Sequence, residues 1–137
     1  MTPKKMKTVA VEKSDYKVYL KKAKDLYDIT QTAKETRNWT AVGLNAVHCT
    51  ISCCDALLTF YLGVRSSGED HIQAADLISR IPKDNVKSAA SSFKRIIAKK
   101  NLVAYENREF CKGDAEDIFK ITGRFYDWTT SILPGLR

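Results

Sequence analysis

Little in this chain would break a helix. Its 137 residues hold three prolines and six glycines, and beyond the first few positions the only prolines are Pro82 and Pro134. No apolar/polar alternation is sustained, no Gly-rich phosphate loop occurs and no segment repeats, so doubly wound, kinase-like and solenoid architectures have no support. Histidine is equally scarce. His48 and His71 are the whole supply, which limits imidazole proton transfer near neutral pH to two side chains. The four cysteines form no CxxC pair and no secreted disulfide framework. Cys49 and Cys53, one helical turn apart, make with His48 an incomplete ligand set, so no metal is expected and small buried residues that permit close helix packing are the simpler reading. The most hydrophobic stretch is interrupted by Asn45, His48, Ser52 and Asp55, which argues against a membrane span. Residues 1–13 are basic but lead into no apolar signal region, and a cytoplasmic location is the expectation.

What the chain does contain is amphipathic helix. Apolar content of 44% with 28% charged residues suits one globular core, and 137 residues are enough to bury it. Tyr16, Tyr19, Leu20, Ala23, Leu26, Tyr27, Thr30 and Ala33 recur at three- and four-residue steps, with Ser14 and Asp15 as capping residues before them. After a connection of Thr36, Arg37 and Asn38, a second helix is predicted over 39–62, closed by Gly63. A link so short makes these two helices antiparallel neighbours. A short third helix is expected over about 70–81, stopped by Pro82 and preceded by a weak capping box of Ser67 and Asp70. A fourth follows Asp84 or Asn85 with Val86, Ala89, Ala90, Phe93, Ile96 and Ile97 inward, and its end frays into a loop over 101–112. The last begins at Gly113 and Asp114 and carries Ile118, Ile121, Phe125, Trp128, Ile132 and Leu133 inward. The fold expected is all-α: an up-and-down antiparallel four-helix bundle with an additional short helix, spanning 14–137 behind a flexible basic tail at 1–13.

The second helix is unusual. Across 39–62 the one formal charge is Asp55. Asn45, His48, Ser52, Asp55 and Thr59 fall within an arc of about 80° on a helix, and short hydrogen-bonding groups in place of Lys, Glu or Arg indicate a covered face, at a subunit interface or a cleft. The net charge of +7 divides into +3 from the tail and +4 from the rest. That mild bias is compatible with phosphate-bearing partners without implying nucleic acid.

The succession Asn38-Trp39, Ala46-Val47-His48, Ile51-Ser52, Asp55-Ala56-Leu57, Gly63, Gly68, Asp70-His71, Lys100 and Tyr105-Glu106 resembles the HEPN superfamily, helical domains named for higher eukaryotes and prokaryotes nucleotide binding. The resemblance runs from the first helix to about Trp128. It implies a homodimer, a nucleotidyltransferase-like or antitoxin protein partner in a toxin-antitoxin system, and in many members metal-independent endoribonuclease activity from an Arg followed several residues later by a His. Here the matching place is Lys100-Asn101 with Tyr105 and Glu106, so the Arg has become Lys and the His is missing. Metal-free RNA cleavage needs a group that exchanges protons near neutral pH, and Lys lacks the bidentate fork of Arg. The reading is therefore a regulatory, non-catalytic module without a cofactor, using Lys100, Tyr105 and Arg108 toward RNA, a nucleotide or a protein partner. The alternatives are a ribonuclease with a rearranged site drawing on His48, Asp55 or His71, and a purely structural dimer whose polar stripe sets register. A Ser/His/Asp triad from Ser52, His48 and Asp55 would lack an oxyanion hole and a strained nucleophile; His71, at a helix start, has capping or packing as its expected role.

Overall fold

The computed structural model describes residues 8–66 and 71–135. Among these residues the α-helices are α1 (Tyr16–Glu35), α2 (Trp39–Leu62), α3 (Ile72–Ile78), α4 (Val86–Ala98), α5 (Lys100–Ala104) and α6 (Lys112–Ile132). The chain is all-α, and the four long helices α1, α2, α4 and α6 form the bundle. Its centre is α2. That helix packs against α1, α6, α5, α3 and α4, while α4 closes the far side against α6. Leu57, Leu58, Phe93, Ile96, Ile118 and Phe125 are fully buried between them, and the rings of Phe93 and Phe125 meet at 5.8 Å. By length and mean composition α2 could cross a bilayer, contrary to the expectation drawn from its polar residues. Yet 61% of its most apolar window is buried inside the bundle, so the apolar surface serves the core.

The ends of α2 are those the residues predict. Asn38 Oδ1 accepts from the Ala41 N–H at 3.4 Å, and Gly63 ends the helix with φ +67°, a conformation that costs a residue with a Cβ about 1 kcal/mol. The start of α1 differs. A 3-10 turn at Lys13–Asp15 leads into it, and neither Ser14 nor Asp15 caps it by a side chain. The third helix is shorter than expected, because the chain leaves α-helical bonding after Ile78 and turns to bury Ile81 before Pro82. Its expected capping box lies in 67–70, outside the described residues.

Two elements correct the tail and the frayed end. Thr8–Ala10 form a strand, β1, antiparallel to β2 (Val64–Ser66), with Val9 opposite Arg65. The Val11 N–H also donates to the Gly63 carbonyl at 3.1 Å. The β-branched run within the tail thus pairs with the β-branched residue that follows Gly63, and residues 8–13 belong to the bundle; residues 1–7 lie outside the described ones. After α4, regular α-helical bonding is interrupted at Lys99, and the chain continues as α5 instead of fraying. This piece docks on α2 because Gly43 leaves room: a Cβ there would lie 2.8 Å from both Val103 and Phe110 side-chain atoms. α6 begins at Lys112, one residue ahead of Gly113, with Cys111 as its N-cap.

Candidate functional site

The polar stripe of α2 does not present one uniform face. Asn45 Nδ2 donates back to the Ala41 carbonyl at 2.8 Å; His48 is exposed; Ser52 and Asp55 are half-buried. Thr59 departs from the expectation of a place at an interface or cleft. It is fully buried, and its Oγ1 has no partner among the described residues. The cause is the extra cover at the C-terminal half of α2, where the 3-10 turn, β2 and α3 join α1 and α6. Leu44, 38% exposed, and half-buried Ile51 flank the open part of the stripe, so this face is apolar enough to lose water on association and polar enough to fix a register.

Asp55 is the carboxylate of the stripe. Withdrawal from water pushes its carboxyl up to about 6, against the opposing pull of Arg65 and Lys22. That range suits proton transfer. Among the described residues, however, neither Asp55, His48 nor Ser52 makes a side-chain hydrogen bond, so the three are not joined as a triad. The thiols are separate from them as well. Cys49, Cys53 and Cys54 are buried, Cys49 Sγ donates to the Ala23 carbonyl at 3.4 Å, and no group of three metal-ligating residues gathers among the described ones. His71 sits half-buried before α3; its carbonyl accepts from the Ala74 N–H, and its side chain does not cap the helix.

The positive site forms where α4 breaks into α5. Arg95, Lys99, Leu102, Glu106 and Arg108 line a cleft of about 500 Å³. Of the three residues expected to meet a ligand, Arg108 alone lines it. Its guanidinium forks onto Asp114 at 3.1 and 3.3 Å, and Asp114 in turn accepts from the Cys111 N–H at 3.0 Å to cap α6. The Arg108 fork, followed by the Cys111 N–H, holds the Asp114 carboxyl down to about 2. Lys100 opens α5 half-buried and Tyr105, 77% exposed, ends it; neither reaches the cleft wall. Helical spacing explains the exchange, since Lys99 lies four residues after Arg95 and shares its face, whereas Lys100 is turned away from it. Arg95 and Lys99 were legible as cations on α4, one helical turn apart. Their convergence with Glu106 depends on where the chain runs after α5, which no local pattern marks.

Chemically the cleft offers cations, one carboxylate and, among the described residues, no imidazole. It can neutralise a phosphate, and Glu106 is the carboxylate that could take up a proton. Comparison with models of protein families, with characterised proteins and with solved structures finds no match.

Proposed function

We propose that this chain is a HEPN-like dimeric module that binds RNA or nucleotide phosphates without cutting them. The observation that carries the reading is the make-up of the α4–α5 cleft, in which Arg95, Lys99 and Arg108 converge while the two histidines stand elsewhere, on α2 and before α3. Cations at a groove favour a polyanion and make the affinity salt-dependent. Without an imidazole beside them, the acid–base half of metal-free RNA cleavage has no ordinary carrier. The half-buried stripe of α2, with Leu44 and Ile51 beside it, supports self-association. A toxin-antitoxin setting and a nucleotidyltransferase-like partner come from the resemblance alone.

A second reading draws on Glu106. It lines the same cleft as Lys99 and Arg95, which is where a carboxylate base and a phosphate clamp would stand in a rearranged ribonuclease. One experiment separates the two. Fluorescently labelled RNA is incubated without metal, and both anisotropy and strand integrity are followed for the wild type, Arg95→Ala/Lys99→Ala, Glu106→Gln and His48→Ala. The binding module predicts weak, salt-sensitive binding that the double variant reduces, with the RNA intact. Metal-independent cleavage abolished by Glu106→Gln or His48→Ala would instead establish the ribonuclease; absence of binding even at low salt would remove RNA as the ligand.

A further inference from the structure

α4 and α6 leave between them a second groove, of about 340 Å³, walled by Ser88, Ser91, Ser92 and Arg95 from one helix and Arg124 and Trp128 from the other. The spacing explains the convergence. On α4 the positions step by three and four residues, and on α6 Arg124 and Trp128 are one turn apart, so each set shares a helix face. Ala89 and Phe125 form the apolar floor.

The hydroxyls and guanidiniums of these walls are without protein partners among the described residues. The hydroxyls of Ser88, Ser91 and Ser92 bond to nothing among the described residues, whereas Thr30, Thr50, Thr129 and Ser131 turn theirs back onto carbonyls of their own helices. Arg95 and Arg124 have no carboxylate within ion-pair distance among the described residues, in contrast to Arg108 with Asp114. Among the described residues no carboxylate lines the groove. Trp128, by comparison, is held: its Nε1 donates to the Asp84 carbonyl at 2.9 Å, which fixes the indole on the groove wall. The N-terminus of α4, where Asn85 (φ +66°) supplies no side-chain cap, lies at the same end as Ser88 and adds its partial positive charge.

We propose that this groove binds the terminal phosphate of a small phosphomonoester. Two guanidiniums and three hydroxyls match the charge and the several acceptor oxygens of a phosphate dianion, and the indole offers an apolar wall to the group that carries it. A volume of about 340 Å³ over a closed floor is the scale of a small-molecule site. The site goes beyond the RNA cleft. Arg95 borders both, but Arg124 and the serines belong to this groove and Lys99 and Glu106 to the other.

The test is calorimetric titration of the full chain with inorganic phosphate, a nucleoside 5′-monophosphate and the parent nucleoside. Emission from Trp128 is followed in parallel in a Trp39→Phe background. The monophosphate is expected to bind and to shift the emission, and the nucleoside to do neither. Arg124→Ala should weaken binding by about tenfold or more, the scale of a lost charge-assisted hydrogen bond; Arg124→Lys should restore part of it, and Ser91→Ala/Ser92→Ala should cost a few-fold. Lys99→Ala should lower RNA binding while leaving the Trp128 emission shift with monophosphate in place, so failure of either site is read separately. Equal affinity for nucleoside and monophosphate, no binding of either phosphate compound, or an Arg124→Ala variant with wild-type melting and wild-type affinity would each overturn the proposal.

Discussion

Asp55 on α2 is drawn toward its charged form by Arg65 of β2, yet burial outweighs the attraction and lifts the carboxyl to about 6. The folded chain therefore keeps a proton that the unfolded chain releases near pH 4. Its contribution to stability is whole below about pH 4, declines as pH rises, and is lost above about pH 6. Above that value a half-buried carboxylate remains with no hydrogen bond among the described residues, so replacing it should relieve the fold. Asp55→Asn is expected to stabilise the protein at pH 7.5 by roughly 1 to 2 kcal/mol, discounted for the solvent that still reaches the site, and to make little difference at pH 4. Urea denaturation of both proteins at the two pH values checks this; a variant less stable at pH 7.5 would mean that Asp55 has a partner worth more than its desolvation.

Gly43 stands where a helix interior would ordinarily prefer Ala by about 1 kcal/mol. Here the usual gain should reverse, because the added methyl would lie 2.8 Å from Val103 and from the ring of Phe110, which is 4% exposed. Gly43→Ala is expected to lower stability by about 1 to 3 kcal/mol, as overpacked cores do, and to shift α5 with the cleft it borders. Thermal melting decides it, and a raised melting temperature would show that α5 yields freely.

Much of this architecture was legible because the signals are local. Asn38 and Gly63 bracket α2, and the apolar steps of α1, α4 and α6 define the faces that meet in the core. What escaped depends on distant contacts. Val9 faces Arg65 across a sequence gap that includes all of α1 and α2, and only the folded bundle brings them together. The same holds at the site. Arg95 and Lys99 were recognisable as cations one helical turn apart, but Glu106 and Arg108 join them only through the path of the chain after α5, and Arg124 and Trp128 meet Arg95 through the packing of α6. The Thr59 misplacement has the opposite cause: a helical wheel treats one stripe as one environment, while α2 is covered more heavily toward its C-terminal end.

The thiols should divide by location. Cys111 is exposed, whereas Cys49, Cys53 and Cys54 are buried; the neighbouring Cys53 thiol, together with burial, pushes the Cys49 thiol up, and burial does the same for Cys54. Thiolate is the reactive form, so a chromogenic thiol reagent should modify one cysteine in the native protein and all four in denaturant. Cys111→Ser should abolish the native reaction. Rapid modification of a second thiol would reveal opening of the α1–α2 packing.

If the open part of the α2 stripe is an interface, a charge placed beside it should separate the copies without harming the fold. Leu44 is the suitable position because it is partly exposed in the single chain. The wild type is expected to scatter as a dimer at micromolar concentration and Leu44→Glu as a monomer, with the circular dichroism of the two alike. A monomeric wild type would rule out this face as a stable contact.

The last prediction concerns Arg108, whose charge is occupied by Asp114. That carboxylate serves two purposes, neutralising a cation at the mouth of the α4–α5 cleft and accepting from the Cys111 N–H at the start of α6. Asp114→Asn keeps an oxygen for the cap but removes the charge, so binding and stability should move in opposite directions. Stability should fall by about 1 kcal/mol or less, the scale of a weakened cap. The loss should appear above about pH 4 and vanish as pH falls toward 2, where the wild-type carboxyl takes up its own proton. RNA binding, by contrast, should tighten several-fold, and its dependence on salt should steepen by about 0.7 in logarithmic slope as one more cation meets phosphate. Anisotropy titrations over a salt series, beside urea melts of the same two proteins, measure both halves. Unchanged affinity and slope with the expected loss of stability would leave Arg108 a structural residue of the α6 cap and confine the phosphate contacts to Arg95 and Lys99.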